Sequence, residues 1–360
     1  IDRTRGVVVI DPDSETLANY EQYAIQQVEF IHSLDALRDL PATTRDGHEI
    51  TLLGNIEFPS EVRTVLEKGG QGVGLYRTEF LYLGSDVEPT EEDHYKAYCQ
   101  VLEECQGRPV VIRTLDLGAD KYTQSRARVP ERNPMLGCRS IRFCLQNLVM
   151  FKTQIRAILR AGVGAKVSMM FPLITNLMEL RQAKSIVRDV IEDLEEEGIE
   201  HRPDMPIGIM VETPSAALQC DAAAKEVDFF SIGTNDLIQY TLAVDRGNEK
   251  VASLFSAANP AVLHLLRDVI RSGLRHDVPV SVCGEMAADP LFTMPLLGMG
   301  LKTFSCAPPA LPEIKKMIRS VTMEQSLQVA RKVMNFESDK EVLNFLHAAA
   351  RKVLPAAWPD

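Results

Sequence analysis

From about residue 49 onward, short dense apolar runs alternate with longer stretches in which apolar residues recur every three or four positions. Runs of about four to eight apolar residues mark buried strands, whereas the wider spacing marks amphipathic helices. The runs predict strands over residues 49–53, 72–76, 110–115, 166–171, 206–211, 227–232, 279–283 and 302–305. Between them the helical pattern shows in Leu148, Phe151, Ile155 and Ile158, and again in Leu180, Ala183, Val187, Val190 and Leu194. Strands that alternate with helices imply a parallel sheet closed by crossover connections.

Eight such units fit a closed (βα)8 barrel, the TIM barrel of the α/β class, better than an open doubly wound sheet with fewer strands. A chain of 360 residues suits one large domain with extensions. The barrel is expected over residues 45–320. Before it, a short apolar strand at 6–10 runs into a turn at Asp11 and Pro12. Ser14 then caps a helix reaching about Ser33, and a polar connector covers 40–47. Residues 321–360 are expected to form extra helices packed outside the barrel. Long insertions follow the third strand, at about 118–133, and the sixth, at about 237–258.

In a barrel of this kind, functional groups sit where strands end at their C-terminal edge. Arg77, Arg113, Glu212, Asn235 with Asp236, and Cys283 with Gly284 and Glu285 all fall at expected strand ends. Glu212 and Asp236, from adjacent strands, can converge on one hard cation, and magnesium takes few carboxylates beside water and substrate oxygens. Arg77, Arg113, Arg139 and Arg246 around the same opening suit a substrate bearing both phosphate and carboxylate. Taken singly, a strand-end arginine is more often an ion-pair partner than a ligand, and Cys283 more often a small buried hydrophobe. Convergence of five strands on one face is what favours a site.

Composition narrows the classes. A formal net charge of -11 argues against a nucleic-acid binder. No apolar run is long enough for a membrane span and no signal-peptide pattern opens the chain, so a cytoplasmic location is expected. Seven scattered cysteines, none in Cys-x-x-Cys spacing, are expected to be reduced thiols. His32, His48, His94, His201, His264, His276 and His347 show no metal-binding pair and are assigned surface or packing roles. The glycines from Gly69 to Gly74 precede a strand and match neither phosphate-loop signature.

Two segments, Gly72-Val73-Gly74-Leu75-Tyr76-Arg77-Thr78-Glu79-Phe80 and Phe229-Phe230-Ser231-Ile232-Gly233-Thr234-Asn235-Asp236-Leu237, closely resemble signatures of Enzyme I, the phosphoenolpyruvate-protein phosphotransferase family of sugar transport. Further matches are Ile112-Arg113-Thr114-Leu115-Asp116, Asn133 to Arg139, Met210 to Pro214, Val244 to Asn248 and Cys283-Gly284-Glu285. The resemblance runs from about 45 to 320. It implies that Glu212 and Asp236 hold Mg2+ and that Arg77, Arg113, Arg139, Asn235, Asp236 and Arg246 bind phosphoenolpyruvate. It further implies catalytic roles for Cys283, as the acid that protonates the enolate at carbon three to give pyruvate, and for Arg77 and Arg113. The phosphoryl group would pass to a histidine on a separate domain and from there to a phosphocarrier protein, and this domain would form a homodimer.

No histidine here stands in the family's Thr-Ser-His context, so the chain is expected to be a fragment cut at a linker, inactive in transfer by itself. On that reading residues 1–44 are the tail strand of the phosphohistidine domain plus a linker helix. Cys138 stands where the family commonly has an aromatic residue. The competing assignments are the barrel of a pyruvate phosphate dikinase or phosphoenolpyruvate synthase relative, a carbon-carbon lyase on a pyruvate-type barrel, and a non-enzymatic sensing or dimerisation domain.

Overall fold

The computed structural model describes residues 8–83, 88–118 and 132–355. Eight strands, β1 (Thr51–Ile56), β2 (Val73–Tyr76), β3 (Val110–Arg113), β4 (Val167–Phe171), β5 (Ile207–Val211), β6 (Phe229–Ile232), β7 (Val280–Val282) and β8 (Thr303–Cys306), form a closed barrel in sequence order. Every neighbouring pair is parallel, including β1 with β8. The fold is a (βα)8 TIM barrel.

Hydrophobic burial separates into two layers. Leu75, Met170, Met210 and Cys283 pack together in one small cluster, with Val111 and Phe229 against it. A second, much larger cluster contains the seam between strands and helices. The helix Leu148–Ala161 buries Phe151, Ile155 and Ile158, and Leu177–Glu196 buries Leu180, Ala183, Val187, Val190 and Leu194. These are the residues whose spacing predicted the helices, apart from Leu148, which opens its helix and is exposed. Each large aliphatic side chain buried this way stabilises the fold by about 1.5–3 kcal/mol. The second helix is fixed at its start by a capping box, Asn176 with Glu179.

Three expectations shift. The first strand starts at Thr51 and continues through Gly54 and Asn55 to Ile56, beyond the expected end at residue 53. Glu49 is used instead in an antiparallel bridge to Thr43. Gly54 is required because a Cβ there would lie 2.3 Å from Val65 Cγ2. The first helix, Ser14–Asp35, is capped by Asp13, whose Oδ1 accepts the Thr16 N–H at 2.7 Å, and Ser14 is its first residue. A carboxylate one residue earlier reaches the exposed amide that the expected serine cap cannot. Of the expected strand at 6–10, Gly6 and Val7 lie outside the described residues. Val8, Val9 and Ile10 are exposed and outside any strand, since no strand of the barrel is left unpaired to receive them.

The insertion after β3 lies mostly outside the described residues, at 119–131. That after β6 is shorter than expected, because the helix Thr234–Leu242 takes its first part and buries Leu237 and Ile238. The C-terminal helices Met323–Val333 and Asp339–Val353 pack on the outside, the first so closely that a Cβ at Gly298 would lie 2.0 Å from the Ser326 carbonyl. All seven cysteines are free. No helix among the described residues is long and apolar enough to cross a membrane.

Candidate functional site

The C-terminal ends of the strands open into a cavity of about 270 Å³. Its lining includes Arg77, Arg113, Arg139, Glu212, Asn235, Asp236, Arg246 and Cys283, every residue singled out from sequence. The parallel register explains most of the convergence: β2, β3, β5, β6 and β7 all end at this rim, and Arg77, Arg113, Glu212, Asn235, Asp236 and Cys283 stand at or shortly past a strand end, while Arg139 and Arg246 reach it from the connections after β3 and β6. β4 supplies no lining side chain. The backbone just past it contributes instead, since Leu173, held at φ +52°, donates its N–H to Glu212 Oε1 at 2.6 Å. A leucine in the left-handed region is strained, and here the strain aims an amide at a carboxylate.

Charge is concentrated and nearly dry. Arg139 Nη2 donates to Asp116 Oδ1 at 2.9 Å and to Asp236 Oδ2 at 3.0 Å. Arg113 pairs with Asp116 Oδ2 at 2.9 Å and Glu79 Oε1 at 3.0 Å, and Glu79 also accepts the Asp116 N–H at 3.0 Å. Burial opposes charge on both guanidinium groups. The neighbouring carboxylates outweigh it, Glu79 and Asp116 for Arg113, Asp116 and Asp236 for Arg139, and hold both above the ordinary arginine range. Arg246 is more exposed, with Nη2 at 3.8 Å from Asp236 Oδ1. Arg77 pairs with Glu57 at 2.7 Å near the surface. Asn235 exchanges two hydrogen bonds with Glu285, through Nδ2 to Oε1 at 3.1 Å and from the Glu285 N–H to Oδ1 at 2.9 Å.

Asp116, Glu212 and Asp236 bring carboxylate oxygens within 4.8 Å of one another. Asp116 and Asp236 have arginine partners, whereas Glu212 has none among the described ion pairs. Burial, followed by the repulsion of Asp116 and Asp236, pushes its carboxyl well above the usual range. A buried carboxyl in that position is neutralised by a proton or by a cation. An all-oxygen set of this size, open to further ligands on the cavity side, could hold a hard divalent ion. Gly233 makes room for the Glu212 carboxylate: a Cβ there would lie 2.8 Å from Glu212 Oε2.

Cys283 is 2% exposed, and burial raises its thiol to about 11. It is therefore a protonated donor at neutral pH rather than a thiolate. Its carbonyl accepts from Asn55 Nδ2 at 2.8 Å, and Ser305 Oγ donates to Asn55 Oδ1 at 2.5 Å, so β1 and β8 hold the thiol's backbone from the far side.

Sequence reasoning gave no site role to Asp116, Glu79 or Tyr240. Asp116 was visible three residues beyond Arg113 in a quoted segment, but lies outside the strand and has no helical or strand periodicity to mark it. Glu79 sits in a turn. Tyr240 donates to the Met135 carbonyl, a contact across about a hundred residues that only folding creates.

The chain is 43% identical over 346 residues to a phosphoenolpyruvate-protein phosphotransferase of Priestia megaterium, covering 96% of this chain and 60% of that protein. It is 42% identical over 350 residues to the protein of that name from Bacillus subtilis, covering 96% and 61%. The chain thus spans about 60% of the length of the curated relatives it matches. Among solved structures, a citrate lyase from Burkholderia xenovorans aligns at 12% identity over 86% of this chain and 93% of that one, with a TM-score of 0.49, too distant to carry an argument. The family model described as the PEP-binding domain of PEP-utilising enzymes matches residues 32–323, and the chain belongs to that family.

Proposed function

We propose that this chain binds phosphoenolpyruvate with Mg2+ and is the substrate-binding, dimer-forming part of a phosphoenolpyruvate-protein phosphotransferase. The observation that carries the reading is the single cavity into which four arginines, three carboxylates and a protonated thiol converge. Arg77, Arg113, Arg139 and Arg246, with Asn235, would take the phosphate and carboxylate of the substrate. Planar guanidinium groups suit both anions, and in a dry site each such contact is worth more than in water. Glu212 and Asp236, faced by Asp116, would hold the cation. When bound, the ion supplies positive charge to the phosphate and enolate oxygens.

The residues of the chain divide the remaining work. The arginines orient the phosphate and offset the charge that builds on its oxygens as the bond from phosphorus to the enol oxygen breaks. Phosphorus bonds instead to a nitrogen of a histidine on a separate domain, and the enol oxygen keeps the electron pair. The Cys283 thiol then gives its proton to carbon three, yielding pyruvate, and recovers a proton from solvent. A thiol held protonated by burial is suited to that role. Residues before 45 would serve as linker to the histidine-bearing domain, which in turn would serve a phosphocarrier protein, in the cytoplasm. The identity to proteins named phosphoenolpyruvate-protein phosphotransferase favours this over a pyruvate phosphate dikinase or phosphoenolpyruvate synthase barrel.

Calorimetry with phosphoenolpyruvate tests the reading directly. Binding is expected with Mg2+ and not after chelation, and no phosphoryl transfer is expected until a histidine domain is added. Equal heats with and without the ion would remove the metal from the proposal. Sedimentation with and without the two ligands tests the homodimer, because a ligand that favours a dimer must bind that state more tightly.

A further inference from the structure

Next to the anion site, and sharing no residue with its lining, lies a chain of buried neutral groups: Thr78, Gln154, Tyr98 and His94. All four are fully or almost fully buried. Gln154, on the helix Leu148–Ala161, uses both ends of its amide. Oε1 accepts the Leu115 N–H at 2.9 Å, and Nε2 donates to Thr78 Oγ1 at 3.0 Å and to Tyr98 Oη at 3.1 Å.

A backbone N–H can only donate, so the amide oxygen must face Leu115 and the nitrogen must face the two hydroxyls. Each hydroxyl has one proton, and having accepted from Gln154 it can give that proton onward. Thr78 gives it to the Arg113 carbonyl at 3.1 Å, and Tyr98 to His94 Nδ1 at 2.9 Å. With Nδ1 accepting, the ring keeps its own proton on Nε2, 3.1 Å from Tyr82 Oη. The arrangement in which each of these two hydroxyl protons finds an acceptor therefore runs one way from Leu115 and leaves the His94 proton on Nε2.

We propose that Gln154 is a positioning residue for phosphoenolpyruvate binding, bracing the ends of β2 and β3 through this one-way hydrogen-bond chain. The inference rests on the proposed function and specifies how its arginines are held. Thr78 follows Arg77 directly and precedes Glu79, the carboxylate that grips both Arg113 and the Asp116 N–H. Leu115 precedes Asp116, and Thr78 binds the carbonyl of Arg113 itself. The brace thus touches, or stands one residue from, three members of the cavity lining. Apolar side chains of the same shape would fill this space at little or no cost in stability. A fully satisfied polar network instead fixes a single geometry, and binding sites tolerate errors of only about 0.5 Å.

The test combines affinity with a spectroscopic readout. Thr78→Val keeps the side-chain shape, and Gln154→Leu removes the amide. At a temperature where circular dichroism shows both folded, each is expected to bind phosphoenolpyruvate with Mg2+ about tenfold more weakly than wild type, and the double variant to lose far less than the product of the two because one brace is broken twice. Val333→Ala, a core truncation in the helix Met323–Val333, is expected to leave affinity unchanged. Nitrogen-15 spectra of the imidazoles, with His94 assigned through His94→Gln, should show Nε2 protonated and Nδ1 bare. In Gln154→Glu the carboxylate accepts from both hydroxyls, so the chain reverses and the Nδ1 of His94 takes a proton. Unchanged affinity in both Thr78→Val and Gln154→Leu, or a wild-type His94 protonated on Nδ1, overturns the brace. A wild-type chain that binds no phosphoenolpyruvate sinks the site reading first, and the positioning role with it.

Discussion

Two buried polar clusters meet at the end of β3 and follow opposite rules. Around the cavity, Asp116, Glu212, Asp236, Arg113 and Arg139 are ionisable, and their pairing is incomplete. Glu212 has one amide and no described ion-pair partner, and Arg113 Nε has no hydrogen-bond partner among the described residues. Behind it, Gln154 and its neighbours are neutral and each finds a partner. Buried groups left incompletely paired cost stability, and they remain available to a ligand. Complete pairing makes the other cluster rigid and leaves it nothing to offer a ligand. The contrast teaches that binding capacity here is stored in incompletely paired ionisable groups, and that their geometry is set by satisfied neighbours.

The largest expected effect breaks the charged cluster. Glu212→Ala and Asp236→Ala should each weaken Mg2+-dependent phosphoenolpyruvate binding on the order of 100-fold, since even groups that only support a metal ligand cost 10–100-fold. Titration calorimetry reads this, and an unchanged affinity in both would end the metal assignment. Arg139→Lys comes next, at roughly tenfold or more. A point charge cannot bridge Asp116 and Asp236 as the planar fork does.

The neutral cluster should respond to acid. Burial holds His94 down to about 4, against an ordinary value of 6.5, with nearby Asp93 opposing the shift and Tyr82 and Tyr98 as its hydrogen-bond partners. The unfolded chain takes up a proton that the folded ring refuses. The stability from this group is therefore complete above about pH 6.5 and is lost as pH falls from there through 4, by about 3 kcal/mol in all. Denaturant midpoints between pH 7 and 4 would show it, and His94→Gln should flatten that part of the curve.

For Glu212 the sign reverses. Its folded carboxyl is raised, so without metal the folded state loses stability as pH climbs above the unfolded value. Glu212→Gln should then stabilise the metal-free chain at pH 8 by about 1–2 kcal/mol, with the gain shrinking toward pH 4. A destabilised variant at pH 8 would mean that the carboxylate is better compensated than its surroundings indicate. The smallest effect is expected from Cys283→Ser, with affinity within about twofold of wild type, because a proton donor to the enolate contributes after the phosphoryl bond has broken. If the proposed reaction is reconstituted with a histidine-bearing domain, the same change should slow pyruvate formation.

Much of the fold was legible because burial leaves a periodic trace. Each of the eight strands was visible as an apolar run, and the helices Leu148–Ala161 and Leu177–Glu196 as spaced apolar residues. Arg77, Arg113, Glu212, Asn235, Asp236 and Cys283 could be named because a parallel barrel sends every strand's C-terminal end to one rim, so strand position implies spatial position. Asp116 and Gln154 left no such trace. Asp116 lies in irregular chain, and Gln154 occupies a buried helix position where pattern calls for an apolar residue.

By itself the sequence determined the alternation of strands and helices, the closed barrel that accommodates it, and the identity of the charged groups at the rim. These follow from local periodicity and from the handedness of parallel crossovers. Only tertiary structure decided which carboxylate is left without an arginine, which way each proton points along the chain from Leu115 to His94, and how an amide beyond β4 reaches Glu212. Those outcomes depend on distances of about 3 Å between residues tens of positions apart, and no pattern along a chain encodes a distance across it.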